Sequence, residues 1–221
     1  MSTPYKIIQS KRKTVSIRVL ADGTLEVRCP LHMSQQQVEE IVNLHQKWIE
    51  TQQKKLQSQP LFKRQFVPGE IFFYLGEAYP LRFTEKKHLE WNGEYFFFPM
   101  SSSAQGKELF EKWYKKQARM IIQERVDFYG TRYHFSYQSI RITSAKQRLG
   151  SCSRHNSLNF TWLLIFLPLE LIDYVVVHEL VHTRYKHHQK SFWKAVEAIL
   201  PDYKIRQKKL KNTFFSHYWF V

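Results

Sequence analysis

IDYVVVHELVH, residues 172–182, is the stretch on which the fold turns. It opens on an apolar run and closes with His178 and His182 four apart, Glu179 between them. On a helix that spacing projects both imidazoles from one face, one turn apart, near enough to share a tetrahedral zinc ion. Glu179 then stands where it can orient a water at the metal and take its proton. Ile172, Val175 and Val176 ahead of the histidines predict a buried, rigid helix, the right support for a metal site.

A catalytic zinc takes three protein ligands and keeps a fourth position open. One helix face cannot present the third, so it must come from beyond a turn. The candidates downstream are His187, His188, Glu197 and Asp202. His188 lies six residues after His182, the separation found in HExxHxxGxxH sequences, and is expected to be the third ligand, with His187 its rival. Tyr185 occupies the place of that pattern's glycine, and no Met follows Met120. The chain is therefore not an ordinary metzincin. Two other readings stay open at this point: a surface His-Glu-His group without metal, and a closed structural zinc site, although such sites are usually Cys-rich. Asp173 reads as a helix N-terminal charge or as a hydrogen-bond partner of a ligating imidazole. Arg184, Tyr185 and Tyr203 are the nearby candidates for stabilising an oxyanion. His32, His88, His134, His155 and His217 lack partner spacing.

Working outward, YKIIQS, TVSIRVL and TLEVRC within residues 5–29 alternate like strands, with Asp22-Gly23 as a hairpin turn and Pro30 closing the unit. Ser34 is a plausible N-cap for one helix running toward Gln59 through Val38, Ile41, Val42, His45, Trp48 and Ile49. EIFFYLG, YPLRFT and EYFFFP, over about 70–99, predict three strands, with turns at Gly76 and Asn92-Gly93. Ser101 to Gly106 is the best linker candidate, followed by a helix over 107–129 with Leu109, Phe110, Trp113, Ile121, Val126 and Tyr129 inward. SIRITSAK (139–146) and LNFTWLLIF (158–166) predict strands around a turn at Gly150. Pro168 suits the first turn of the helix carrying His178, and Pro201 interrupts a later one. Strands and helices without regular βαβ alternation predict an α+β fold. The expected division is a β-rich region with one helix over 1–100 and a second domain over 101–221, packed as one unit.

The 221 residues are 43% hydrophobic and 16% aromatic, which argues against disorder. A net charge of +15 predicts attraction to polyanions, or else a Lys-rich solvated face. Two cysteines, Cys29 and Cys152, are too few for a disulfide framework and suggest free thiols in a reducing cytoplasm. The most apolar window, Leu158 to Val177, contains Asn159, Glu170 and Asp173, which would be costly in a bilayer. No membrane span is expected.

Taken together, RLGSCS (148–153), LNFTWLLIFLP (158–168), IDYVVVHELVH (172–182), HHQKSFW (187–193) and LPDYKIRQKKLK (200–211) resemble the YgjP-like zinc metallopeptidases, relatives of the SprT and WLM metalloproteases. The resemblance is strongest over 140–212 and extends more weakly to the N-terminal hairpin and first helix. Leu149 departs from the tryptophan usual in that family's first segment. The resemblance implies a zincin-like core with an N-terminal β-rich part. It aligns His178, His182 and His188 with the family's Zn2+ ligands and Glu179 with its general base.

The leading expectation is zinc-dependent hydrolysis of a peptide or protein. A nucleotide phosphoanhydride hydrolase is the alternative, since zinc-activated water also attacks phosphorus and Lys186, Lys190, Lys194, Arg206, Lys208, Lys209 and Lys211 would suit a nucleotide. A protease acting on DNA-bound proteins, reaching nucleic acid through the basic surface, is a third, and a non-catalytic module with structural zinc a fourth. An extended substrate would pair with the strand at 158–162 if that strand lies at a sheet edge.

Overall fold

A computed structural model describes residues 5–20, 23–57, 64–146, 148–211 and 213. The chain forms two compact units, Met1–Lys63 and Arg64–Val221. The strands near 70–99 therefore belong with the C-terminal unit, whereas the sequence reading grouped them with the N-terminal one.

In the N-terminal unit, β1 (Tyr5–Ser10), β2 (Ser16–Val19) and β3 (Leu25–Pro30) form a sheet of order β1-β3-β2, parallel between β1 and β3 and antiparallel between β2 and β3. Asp22 of the expected turn and Gln59 lie outside the described residues; Gly23 takes a left-handed φ of 84°. Ser34 caps α1 (Gln35–Leu44) with a reciprocal capping box: its hydroxyl accepts from Gln37 N, and the Gln37 side chain accepts from Ser34 N. The single helix expected here is two, because α2 (Gln46–Gln57) restarts after His45, whose ring Nδ1 lies 2.8 Å from Ile41 O. Leu25, Val27 and Cys29 from β3 meet Val38, Val42 and Ile49 in this unit's own core.

The C-terminal unit begins with β4 (Ile71–Tyr74), β5 (Glu77–Thr84), β6 (Glu90–Trp91) and β7 (Phe96–Pro99), ordered β4-β5-β7-β6. Four strands thus stand where three were expected. Ser101–Gly106 is not a linker: Met100–Gln105 form a 3-10 turn leading directly into α3 (Gly106–Arg132). Gly106, Phe110, Tyr114, Ala118, Ile122, Val126 and Tyr129 form the buried stripe of α3, the spacing that keeps one helix face inward. Leu109, Trp113 and Ile121 flank it, partly buried. Phe110 stacks on Phe72 with centroids 4.0 Å apart, joining helix to sheet.

A second sheet has the order β8-β10-β9, from β8 (Ser139–Thr143), β9 (Gly150–Cys152) and β10 (Ser157–Thr161). Two expectations change here. Gly150 begins a strand rather than a turn. The strand expected over 158–166 stops at Thr161, whose hydroxyl accepts from Leu163 N and turns Trp162–Phe166 into a 3-10 helix. Moreover, β10 is the central strand, so both its edges are taken and it cannot receive a substrate; β8 and β9 are the two edges, and β9 is the one that lines the cleft at His178 and Glu179.

Pro168 is the N-cap of α4 (Leu169–Val181), one residue before the helical turn expected for it. Helix α4 is buried nearly all round, as befits a core helix; α5 (Lys190–Ile199) and α6 (Tyr203–Lys211) follow, parted at Pro201. The architecture is α+β. No helix among the described residues is long and apolar enough to cross a membrane.

Candidate metal centre

His178 sits in the last turn of α4 and His182 is its C-cap. A helix C-terminus carries partial negative charge and favours a cation. The chain then turns through Thr183–Gln189 and brings His188 back over the same face. The three Nε2 atoms converge, with His188 Nε2 3.0 Å from both His182 Nε2 and His178 Nε2. Among the described residues this is the group of three able to hold a metal ion. Zinc bonded to three imidazoles at 2.0–2.1 Å in tetrahedral geometry would set them about 3.3 Å apart; the two sides that meet at His188 are within a few tenths of an ångström of that, and all three ligand atoms lie within 4.8 Å of one another.

The protonation states fit as well. Burial, reinforced by the neighbouring His182 and His188, pushes the His178 pKa down to about 3, so its ring is neutral with a lone pair to offer. Burial also lowers His182, against the opposing effect of its bond to Tyr185 O. That bond, 2.8 Å from Nδ1, requires the proton on Nδ1, because a carbonyl can only accept, and it leaves Nε2 free to ligate. His178 Nδ1 is buried without a hydrogen-bond partner among the described residues.

Aromatic side chains hold the triangle. Phe192, fully buried, lies under all three imidazoles at centroid distances of 4.9, 4.5 and 4.8 Å. Trp193 donates from Nε1 to His188 O at 3.0 Å and stacks on the rings of both His188 and Tyr203. His188, although exposed, is thereby braced from α5 and α6.

Glu179 is only 6% exposed, and its Oε2 has no hydrogen-bond partner among the described residues. Burial raises its pKa to about 7, with Arg148 pulling the other way. The backbone of β9 closes over it: a Cβ at Gly150 would stand 2.6 Å from Glu179 Oε1. Glu179 and the histidines open onto a cleft of about 330 Å³, whose remaining lining is Arg148, Gly150, Ser151, Cys152 and Lys186. The Lys186 ammonium donates to Asn156 Oδ1 (2.6 Å), Ser153 O (2.8 Å) and Cys152 Sγ (3.3 Å), tying the loop between His182 and His188 to the β9–β10 turn.

Other expectations are redirected. Asp173 neither caps the helix nor touches an imidazole. It accepts from Arg125 Nε (2.6 Å), Arg125 Nη2 (3.0 Å) and the Tyr129 hydroxyl (3.0 Å), locking α4 to α3. Arg184 donates to Tyr133 O and His134 O and lies over Phe135, Tyr203 is buried beneath Trp193, and Tyr185 contributes its carbonyl. None of these three lines the cleft. His187 accepts from Gln189 N and stays outside the triangle. His217 lies outside the described residues. Cys29 and Cys152 are free thiols. Arg148, Gly150, Phe192 and Trp193 were not singled out for the site; the first two lie some thirty residues before the histidines, and only tertiary pairing brings them there.

A family model described as YgjP-like, metallopeptidase domain, matches residues 13–213. No curated protein matches the chain. Among solved structures it is similar to the metallopeptidase zymogen abylysin of Pyrococcus abyssi, at 20% identity and TM-score 0.38 over 40% of this chain and 90% of that one. Jannalysin of Methanocaldococcus jannaschii, also a metallopeptidase zymogen, gives 22% and 0.36 over 41% and 91%. A Wss1 mutant from Saccharomyces cerevisiae gives 20% and 0.35 over 43% and 84%.

Proposed function

This chain belongs to the YgjP-like metallopeptidase family, and from that premise we propose that it is a zinc peptidase in which His178, His182 and His188 hold the metal and Glu179 is the general base. The observation that carries this reading is the convergence of three imidazole Nε2 atoms beside a buried carboxyl whose Oε2 has no partner among the described residues.

Bound at the triangle, zinc would supply Lewis-acid activation of a water and of the scissile carbonyl. Glu179, buried beside the triangle with an Oε2 that has no partner among the described residues, would take a proton from that water and pass it to the leaving amine. Its burial keeps the carboxyl from competing bulk solvent. Strand β9 pairs only with β10 among the described strands, so its outer edge is available to an extended peptide, whose main chain would add as a further strand. Gly150, Ser151 and Cys152 of β9 line the same cleft as Glu179, so such a peptide would run beside that carboxyl. The two free thiols support a reducing, cytoplasmic setting.

The test is Glu179→Gln in metal-replete protein. Zinc content measured by atomic spectroscopy should stay stoichiometric while casein hydrolysis falls by roughly 10²–10⁴-fold, the usual contribution of a general base. His188→Ala should lose zinc and His187→Ala should keep it. Retained turnover in the Glu179→Gln protein would remove Glu179 from the mechanism, and wild-type protein that takes up no zinc would remove the metal.

A further inference from the structure

The cleft is electrostatically lopsided. Glu179 is the only carboxylate among its described lining residues, whereas Arg148 and Lys186 both face it. Their circumstances differ. The three acceptors of Lys186 are a carbonyl, a side-chain amide and a thiol; the thiol is kept protonated by burial, so the ammonium is held in place without an ion-pair partner among the described residues. Arg148 is exposed and has no hydrogen bond or ion pair with any described residue. Its charge reaches Glu179, yet the two do not bond.

An unpaired surface arginine is by itself ordinary. What distinguishes this one is its place on the edge strand. Arg148 lies two residues before β9, and Lys186 is bonded to the turn that follows it. Three strand residues span about 10 Å at ~3.3 Å each. A peptide added along β9 would therefore meet a positive charge at each end of a short rail, with the metal triangle and Glu179 beside its middle. Guanidinium suits a carboxylate in particular, because its planar fork donates two parallel hydrogen bonds. The one acid of the described lining, Glu179, does not bond Arg148.

We propose that the cleft selects peptides carrying acidic side chains on either side of the scissile bond, with Arg148 as the specificity-determining residue that pairs with a substrate carboxylate and Lys186 as a fixed charge at the other end of β9. The inference rests on the peptidase reading. It adds a substrate class to it and explains why a basic rim surrounds a single catalytic carboxyl.

The test uses three matched peptides with one central sequence and flanks of Glu, Gln or Lys. Two readouts are taken on the full chain loaded with zinc: kcat/KM with wild-type protein, and Kd by fluorescence anisotropy with the Glu179→Gln protein, which needs no turnover. The expected order in both is Glu, then Gln, then Lys, with about tenfold between the extremes, as for a few partly exposed charge pairs, and with a gap that narrows as salt is raised. Arg148→Glu should invert the order and Arg148→Lys should keep it. Equal binding of the three peptides, or an Arg148→Glu protein that weakens all three alike, would overturn the proposal. Failure to cleave any of them would overturn the peptidase reading instead, while the binding arm still decides the charge preference.

Discussion

Glu179 needs two neighbours that the HExxH spacing does not contain. One is the dry surround that lifts its pKa toward 7; the other is Gly150, whose missing side chain lets β9 lie against the carboxyl. Gly150→Ala should therefore leave the fold intact but displace Glu179. Because a misplacement of about 1 Å can cost roughly 10²-fold in rate, we expect a loss of kcat of about 10- to 100-fold with zinc content unchanged. A rate equal to wild type would show that the carboxyl tolerates the shift. The histidine cluster was legible at this scale, since i, i+4 geometry is local and His188 lies only six residues beyond His182. Gly150 and Arg148 were not, because nothing in RLGSCS announces which helix it will face.

Between elements, the firmest polar contact is the Arg125–Asp173–Tyr129 group joining α3 to α4. Both charged side chains are mostly buried, at 17% and 11% exposure. Removing one partner strands the other in a poorly solvated site, which typically costs about 3–5 kcal/mol. Arg125→Ala should lose that much in a denaturant titration, and a double variant with Asp173→Asn should recover part of it. A loss under about 1 kcal/mol would mean that water reaches Asp173, as it does for exposed pairs. At this scale the sequence was read well where periodicity was long, as in α3 and α4. Short apolar runs are ambiguous. LNFTWLLIF supports strand or helix equally by pattern, and the choice at Thr161 was made by its hydroxyl capping Leu163 N. The role of Asp173 was also invisible locally, since its partners stand 44 and 48 residues away.

Across the C-terminal unit, the aromatic core ties stability to alkaline pH. Burial raises Tyr114 well above its ordinary value near 10 and also raises Tyr74, Tyr129 and Tyr174. Above about pH 10 the unfolded chain releases these protons while the folded one retains them, so unfolding gains and stability falls with rising pH. Thermal midpoints should therefore drop between about pH 10 and 11. In Tyr114→Phe the drop should be shallower, although that variant starts lower because it loses the bond to Phe73 O. An unchanged slope would place the cause elsewhere, for example in lysine deprotonation. By composition the Ser-rich segment near residue 100 looks like a linker between units. The strands before it instead pack their Phe72, Phe96 and Phe98 against Phe110 of α3, a choice made by buried aromatic area rather than by local composition.

From its own sequence this protein determined the convergence of His178, His182 and His188, the burial of the helix that carries two of them, and the class of fold. All three follow from spacings within one or two turns of chain, where helix geometry leaves little freedom. Only the tertiary structure decided which strand roofs Glu179, that β10 is central while β9 is the edge beside the cleft, and that Lys186 reaches the turn after it. Those outcomes depend on pairing segments tens of residues apart. Such pairing is settled by which apolar faces find burial together, and no local pattern records it.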